Sequence, residues 1–269
     1  MISVRGLTVE IGHRKLVDAV SFDAQPGEVT GLIGPNGAGK STVLAAVAGD
    51  LEYSGSVQLA ELDPTGLSQN ELARLRAVML QDVGVSFEFL VRDVVAMGRS
   101  PWAGTSSEAE DEEIVAAALA AADVAHLAGR DVVTLSGGER ARVALARVLA
   151  QQTPVILLDE PTAALDIHHQ EQVLSLAQAL AKQGGIAVLV VLHDLNAAAA
   201  YCDHIVCMAD GKVVAHGTVP EVYADAVLSE VYGWDITVAE IDGRLCVLPQ
   251  RCPPTGIDSL ISTYKLSNI

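Results

Sequence analysis

The sequence predicts an α/β protein in which helices flank a sheet of mostly parallel strands. Short, predominantly apolar runs at residues 29–33, 155–158 and 187–192 are typical of strands buried on both faces. Helical periodicity follows the first two runs, over residues 40–51 and 168–182. A glycine-rich loop joins the first run to its helix. Strands that alternate with helices in this way form parallel sheets.

The other elements of the first half follow in chain order. Residues 3–10 alternate as a strand does, and residues 56–59 form a second predicted strand. Residues 72–76 are predicted to be helical. A short strand over residues 78–80 then ends at Gln81.

The middle of the chain has a different character. From Asp82 to about residue 150, strand signals give way to alanine-rich helical segments such as residues 108–122. The loop at residues 100–104 contains proline and glycine, which interrupt regular structure. We therefore expect a helical insertion in the α/β core.

The last part of the chain carries a hairpin signal. Residues 205–208 and 212–215 flank Asp210 and Gly211, a dipeptide that favours a two-residue turn between antiparallel strands. Short strands and turns are expected after Gly233.

These signals define a domain organisation. We expect one domain over residues 1–269, with a core formed by residues 1–81 and 153–232. Residues 82–152 are expected to form a helical subdomain and residues 233–269 a short C-terminal extension.

Composition excludes several classes of protein. The formal net charge of −17 argues against a nucleic-acid partner and against direct docking on anionic lipids. No run approaches the roughly 20 apolar residues that a membrane helix needs, and no secretory signal is visible at the N-terminus. The cysteines lack metal-ligand spacing, and we expect free thiols in a reducing cytosol. They are Cys202, Cys207, Cys246 and Cys252.

The strongest motif is a phosphate-binding loop, G-x-x-x-x-G-K-[ST], between a predicted strand and a predicted helix. Its glycines let backbone N–H groups wrap a phosphate, and the helix N-terminus adds partial positive charge. Lys40 would bind the β and γ phosphates of a nucleotide, and the Ser41 hydroxyl would bind Mg²⁺. The expected nucleotide-binding residues here are Gly34, Pro35, Asn36, Gly37, Ala38, Gly39, Lys40, Ser41 and Thr42.

Two acids follow the apolar run at residues 155–158. A buried strand would deliver Asp159 to the sheet edge near the phosphate loop, where it would hold Mg²⁺ through water. Glu160 would polarise a water for in-line attack on the γ-phosphate. A strand that ends in two solvated acids is the alternative.

A third motif stands at the start of a helix after the helical insertion. It consists of Leu135, Ser136, Gly137, Gly138 and Glu139. Such a helix start can bind an anion, or Ser136 can be an ordinary N-cap. Together with the two motifs above, this stretch resembles the ATP-binding cassette family over residues 3–232. The resemblance implies a P-loop NTPase fold, with a RecA-like mixed sheet core, helices on both faces, an inserted helical subdomain and an N-terminal antiparallel β portion.

Further roles are implied by the same resemblance. Gln81 would link the core to the helical subdomain and contact Mg²⁺ and the γ-phosphate, and His193 would act as a switch histidine. Asp166 would lie in a loop that crosses to a second subunit. The ATPase would be a homodimer packed head to tail. Each ATP would lie between the Lys40 loop of one copy and the Ser136 loop of the other, including Gly137, Gly138 and Glu139.

A narrower resemblance concerns importers for siderophores, haem and cobalamin, which share the pattern around Phe87, Phe89 and Arg99. It implies that a permease helix docks between core and helical insertion. Phe87 and Phe89 would be apolar contacts, unless they belong to the subdomain core, and Arg99 a polar one.

Residues 76–81 and 164–170 are most similar to the ATPase subunits of haem importers. This implies a peripheral subunit on the cytoplasmic face of the inner membrane that hydrolyses ATP, with two permease subunits and an extracytoplasmic substrate-binding protein as partners. An iron-siderophore or cobalamin importer is the alternative. A soluble cassette ATPase is disfavoured, because the chain has neither a second cassette nor a long coiled-coil insertion.

One feature departs from the family pattern. The family usually places an aromatic residue near the end of the first strand to stack on adenine, but no Tyr, Phe or Trp occurs from Met1 through Ser21. Ile11 and His13 are the side chains expected near the base, and we expect ATP and GTP affinities within about tenfold of each other.

Overall fold

The computed structural model describes residues 1–80, 88–163 and 165–251. The strands are β1 (Ile2–Ile11), β2 (Arg14–Ala24), β3 (Val29–Ile33), β4 (Ser54–Leu59), β5 (Arg76–Met79), β6 (Val155–Asp159), β7 (Ala187–Val191), β8 (His204–Ala209), β9 (Lys212–Thr218), β10 (Ile236–Ile241) and β11 (Arg244–Pro249). The α-helices are α1 (Lys40–Ala48), α2 (Gln69–Leu75), α3 (Val91–Ala96), α4 (Glu108–Ala121), α5 (Gly137–Ala150), α6 (Ile167–Gly184), α7 (Leu195–Tyr201), α8 (Val219–Val222) and α9 (Asp225–Tyr232). Among the described helices, none has both the length and the apolar character that a bilayer crossing requires.

The predicted α/β fold is confirmed. The main sheet has the order β5-β6-β7-β3-β8-β9, in which β9 alone runs antiparallel to its neighbour. A second, antiparallel sheet has the order β2-β1-β4 and forms the N-terminal β portion. The hairpin at Asp210 and Gly211 is also present, and both residues have positive φ (48° and 75°), as a type I′ turn requires.

Strand β2 is absent from the sequence prediction for a physical reason. Its pairing with β1 contains register shifts, and Ala19 has a positive φ of 52°. Val17 and Val20 are both buried although three positions separate them. A bulged strand loses the period of two that identifies strands in a sequence.

The order of the central strands positions the functional site. Strand β3 lies between β7 and β8, and β6 is the next strand beyond β7. In parallel neighbours the carboxyl ends meet at one edge of the sheet, where ligands of such sheets bind. The segments that follow Ile33, Asp159 and Val191 therefore lie side by side.

The helices between the two parts of the core form a unit with its own apolar cluster. Buried residues of α3, α4 and α5 pack together, among them Val91, Val95, Leu119 and Val143. The helical character of this part of the chain is confirmed, while the boundaries 82–152 stay a prediction.

Arg99 is a buried arginine that links several segments of this unit. Its side chain is 7% exposed and lies 2.7 Å from the Asp111 carboxylate. It also donates to the Ala150 carbonyl at 2.9 Å, and its guanidinium lies 5.6 Å from the ring of Trp102. The expectation that Arg99 is a polar contact for a permease stays a prediction, because the side chain is mostly buried but also lines a cavity between α3 and α4.

We expect Arg99→Ala to lower the free energy of unfolding by about 2–3 kcal/mol, because it leaves buried acceptors without their donor. Arg92→Ala is the control, since Arg92 is 66% exposed and faces Asp93 at 3.4 Å; its effect should stay within about 0.5 kcal/mol. Urea unfolding of both variants measures this. Equal stability losses would contradict the role given to Arg99.

Candidate functional site

The loop between β3 and α1 has a backbone that favours glycine. Gly34, Gly37 and Gly39 have φ values of +144°, +82° and +98°. A Cβ on Gly34 would lie 2.1 Å from the Met208 carbonyl oxygen of β8. The loop therefore packs directly against the sheet, with its N–H groups near the start of α1.

Lys40 lies inside this loop. Its side chain is 5% exposed, and Nζ donates to the carbonyl oxygens of Gly34 at 2.7 Å and Pro35 at 3.0 Å. Burial lowers the pKa of Lys40, while the nearby carboxylates of Glu160 and Asp159 act in the opposite direction. An anion at this position would stabilise the charged ammonium.

Ser41 and Asp159 meet beside the loop. The Ser41 hydroxyl donates to Oδ1 of Asp159 at 3.2 Å. Burial raises the pKa of the Asp159 carboxyl, and the hydrogen bond from Ser41 partly offsets this. A hydroxyl and a carboxylate oxygen are ligands that fit Mg²⁺, which takes one or two protein carboxylates together with water and phosphate oxygens. Among the described residues, no group of three or more His, Cys, Asp or Glu could hold a metal ion.

Glu160 and His193 form a pair across the ends of β6 and β7. Nε2 of His193 lies 2.5 Å from Oε1 of Glu160. Glu160 has a φ of +50°, and its N–H donates to the Val191 carbonyl at 3.2 Å. A left-handed conformation at a residue other than glycine costs about 1–3 kcal/mol and is concentrated at functional sites. The fold thus holds this carboxylate in a fixed place.

A cavity of 680 Å³ lies beside the phosphate loop, Glu160 and His193, and Asp159 is not among its lining residues. Loop residues form its floor, and Glu160 and His193 line one side. The sequence-predicted residues that line it are Asn36, Gly37, Ala38, Gly39, Lys40, Ser41, Thr42, Glu160 and His193. Gly34 and Pro35 do not line the cavity, but their carbonyl oxygens accept hydrogen bonds from Lys40. Gln81 is outside the described residues.

Two lining residues, Arg14 and Leu16, were not predicted from the sequence. They are two positions apart and follow Gly12, so they would share one face of a strand. The alternation of Arg14 and Leu16 after Gly12 is a signal for these two residues, but β2 itself was not predicted from the sequence. Ile11, the residue expected near the base, is 57% exposed and does not line this cavity.

The remaining predicted residues lie outside the cavity. Ser136 begins α5, where its hydroxyl accepts from the Glu139 N–H at 3.3 Å and its own N–H donates to Glu139 Oε2 at 2.7 Å. Gly137 and Gly138 belong to the same helix start. Asp166 begins α6 and accepts from the His169 N–H at 3.0 Å. Within one copy of the chain, Ser136 and Asp166 are thus helix N-caps.

This fold and its phosphate loop match known proteins. The family described as ABC transporter matches residues 17–163. The Hemin import ATP-binding protein HmuV of Streptomyces coelicolor is 50% identical over 251 residues, which are 92% of this chain and 89% of that protein.

Solved structures agree with these matches. A transporter described as metal-chelate type, in an inward-facing conformation, has a TM-score of 0.79 at 26% identity and covers 93% of this chain and 97% of its own. A dimeric ATP-binding cassette in a post-hydrolysis state, bound to ADP and Pi, has a TM-score of 0.74 at 27% identity. The match covers 81% of this chain and 99% of that cassette.

Proposed function

Because the chain belongs to the ABC transporter family, we propose that it is the subunit that binds and hydrolyses ATP to power haem import through a membrane permease. The observation that carries the haem assignment is the 50% identity to a hemin import ATP-binding protein over 92% of the chain. In this proposal the subunit lies on the cytoplasmic face of the membrane, against two permease subunits that receive haem from an extracytoplasmic binding protein.

The phosphate loop holds the triphosphate. Residues 36–42 line the cavity, and the N-terminus of α1 adds partial positive charge there. When ATP binds, Nζ of Lys40 leaves the carbonyl oxygens of Gly34 and Pro35 and donates to the β and γ phosphates instead. Ser41 and Asp159 would hold Mg²⁺, with Gln81 as a further ligand; the ion, when bound, neutralises phosphate charge.

Glu160 is the general base of this proposal. Its carboxylate lies at the cavity wall, where it can accept a hydrogen bond from a water aligned with the γ-phosphate. His193 contacts that carboxylate and also faces the cavity. We assign His193 two roles, orientation of Glu160 and contact with the γ-phosphate.

A second copy completes each site. Ser136, Gly137, Gly138, Glu139 and Asp166 do not reach the cavity of their own chain. Head-to-tail pairing would place the Ser136 helix start over the γ-phosphate held by the partner. A dimeric cassette bound to ADP and Pi has the same fold, which supports this pairing.

We expect Ser136→Arg to abolish ATP hydrolysis while ATP binding to the isolated subunit stays near normal, because the large cation blocks only the shared interface. Mixed with Lys40→Ala, it should form an ATP-dependent dimer that has one intact composite site. Ser107→Arg is the matched control, because Ser107 makes the same capping contacts with Glu110 at the start of α4. A mixture that fails to dimerise with ATP, or a Ser107 variant that loses hydrolysis equally, would contradict the head-to-tail site.

The helical subdomain provides a surface for the permease. A cavity of 770 Å³ lies between α3 and α4 and is bordered by Arg92, Asp93 and Glu108. Phe89 lies nearby in the chain and is 39% exposed; Phe87 is outside the described residues. We place the permease helix at this groove, with charged residues on its rim.

Growth on defined iron sources, and separately growth that depends on cobalamin uptake, tests the haem assignment. Cells that lack this chain should fail to grow with haem as the sole iron source and should still use ferric siderophores and cobalamin. The wild-type chain should restore growth on haem, and Glu160→Gln should not. If growth is lost only on a siderophore, the substrate is that siderophore and not haem. Normal growth on every source would contradict the proposal that the chain powers an importer.

A further inference from the structure

We propose that Arg14 stacks its guanidinium on the base of the bound nucleotide, with Leu16 as an apolar contact beside it. This rests on the proposed ATP site and concerns the part of it that holds the base.

Strand β2 directs both side chains into the same space. Successive side chains of a strand point to opposite faces, so Arg14 and Leu16 share a face and Lys15 takes the other. Arg14 and Leu16 line the 680 Å³ cavity together with the phosphate loop. Lys15 instead lies 2.8 Å from the Asp18 carboxylate.

The start of β2 is held at a fixed place relative to the phosphate loop. A Cβ on Gly39 would lie 3.0 Å from the Leu16 carbonyl oxygen, and one on Gly211 would lie 2.6 Å from it. Gly211 donates its N–H to the Ala38 carbonyl at 3.1 Å and accepts from the Asp18 N–H at 2.8 Å. These backbone contacts leave little freedom in the distance between Arg14 and the phosphates.

The Arg14 side chain is available for a ligand. It is exposed, and within residues 1–80, 88–163 and 165–251 it makes no hydrogen bond or ion pair. Arg5, on the neighbouring strand, is paired with Asp23 at 2.7 Å. Arg14 thus brings an unpaired planar cation to the cavity wall.

A guanidinium can stack on a base in place of the aromatic side chain that this part of the sequence lacks. No Phe, Tyr or Trp precedes Phe22, which is 4% exposed and belongs to the core. A planar guanidinium stacks on aromatic faces, as a lysine ammonium does not. Every base offers such a face, so stacking of this kind strengthens binding without selecting the base. Arg14 should therefore raise the affinities for ATP and GTP by the same factor.

The test measures binding of ATP, GTP and inorganic tripolyphosphate, which lacks a base, to the full chain with Mg²⁺. We expect Arg14→Ala to weaken both nucleotides by about five- to thirtyfold, from the usual strength of cation–π contacts. Tripolyphosphate binding should stay unchanged. Lys15→Ala, which removes the same charge from the opposite face of β2, should leave all three affinities as in wild type.

Two further variants distinguish the contribution of the planar shape of the guanidinium to ATP binding from the contribution of its charge. Arg14→Tyr should bind ATP at least as tightly as wild type, whereas Arg14→Lys, which keeps the charge but not the plane, should bind it more weakly than wild type. Unchanged nucleotide affinity in Arg14→Ala would overturn the proposal, and so would an equal loss for tripolyphosphate or full affinity in Arg14→Lys. A wild-type chain that bound no nucleotide would overturn the proposed function itself.

Discussion

Glu160→Gln should bind ATP with nearly wild-type affinity and hydrolyse it about 10²–10⁴ times more slowly, the usual effect of losing a general base. The amide keeps the size of the carboxylate and can still face His193, but it accepts no proton from water. Since Lys40 and the loop are unchanged, the expected product is a stable ATP-bound dimer. Steady-state phosphate release and size-exclusion chromatography with ATP measure the two effects.

Glu28→Gln provides the control for this variant. Glu28 precedes β3 and lies 3.5 Å from His204, away from the cavity. Its hydrolysis rate should equal that of the wild type. A Glu160→Gln enzyme with more than half of the wild-type rate would assign the base to another residue.

Lys40→Ala should instead weaken ATP binding itself, by about 30- to 4,000-fold, the range for a truncated partner of a buried charge pair. The variant removes a full charge from the phosphates, and it also removes the contacts with Gly34 and Pro35 that hold the loop. Titration of each variant with ATP and Mg²⁺ measures the change.

Lys182→Ala is the matched control for lost charge, because Lys182 is 53% exposed and paired with Asp203 on the surface. Its ATP affinity should be unaltered. Wild-type affinity in Lys40→Ala would refute the role given to this lysine.

The sequence was sufficient to predict the parts of the fold whose signals are local. The apolar runs correspond to β3, β6 and β7, and the helix predicted after the phosphate loop begins at Lys40. That helix ends at Ala48 rather than Leu51, because Gly49 takes a left-handed φ of 84° and closes it. Where pairing with another strand decides the geometry, as in bulged β2, no local pattern reveals it.

The candidate site shows the same limit. Motifs indicated the phosphate loop and Glu160, and the family resemblance indicated His193. Each of them follows a strand at one edge of the sheet. Arg14 could not be found in this way, because only the pairing of β1 with β2 and the contact of β2 with Gly211 bring it to the cavity. Charge in a sequence also does not reveal that Arg99 is buried against Asp111.

Transport by the assembled complex is the most direct test of ATP-driven haem import. Membrane subunits that co-purify with the tagged chain would be reconstituted into vesicles with the ATPase subunit on the outside and haem-loaded binding protein inside. We expect haem to leave the lumen only with ATP and Mg²⁺, and complexes that carry Glu160→Gln to bind ATP but move no haem. Haem movement at the wild-type rate with Glu160→Gln, or without ATP, would contradict ATP-driven import.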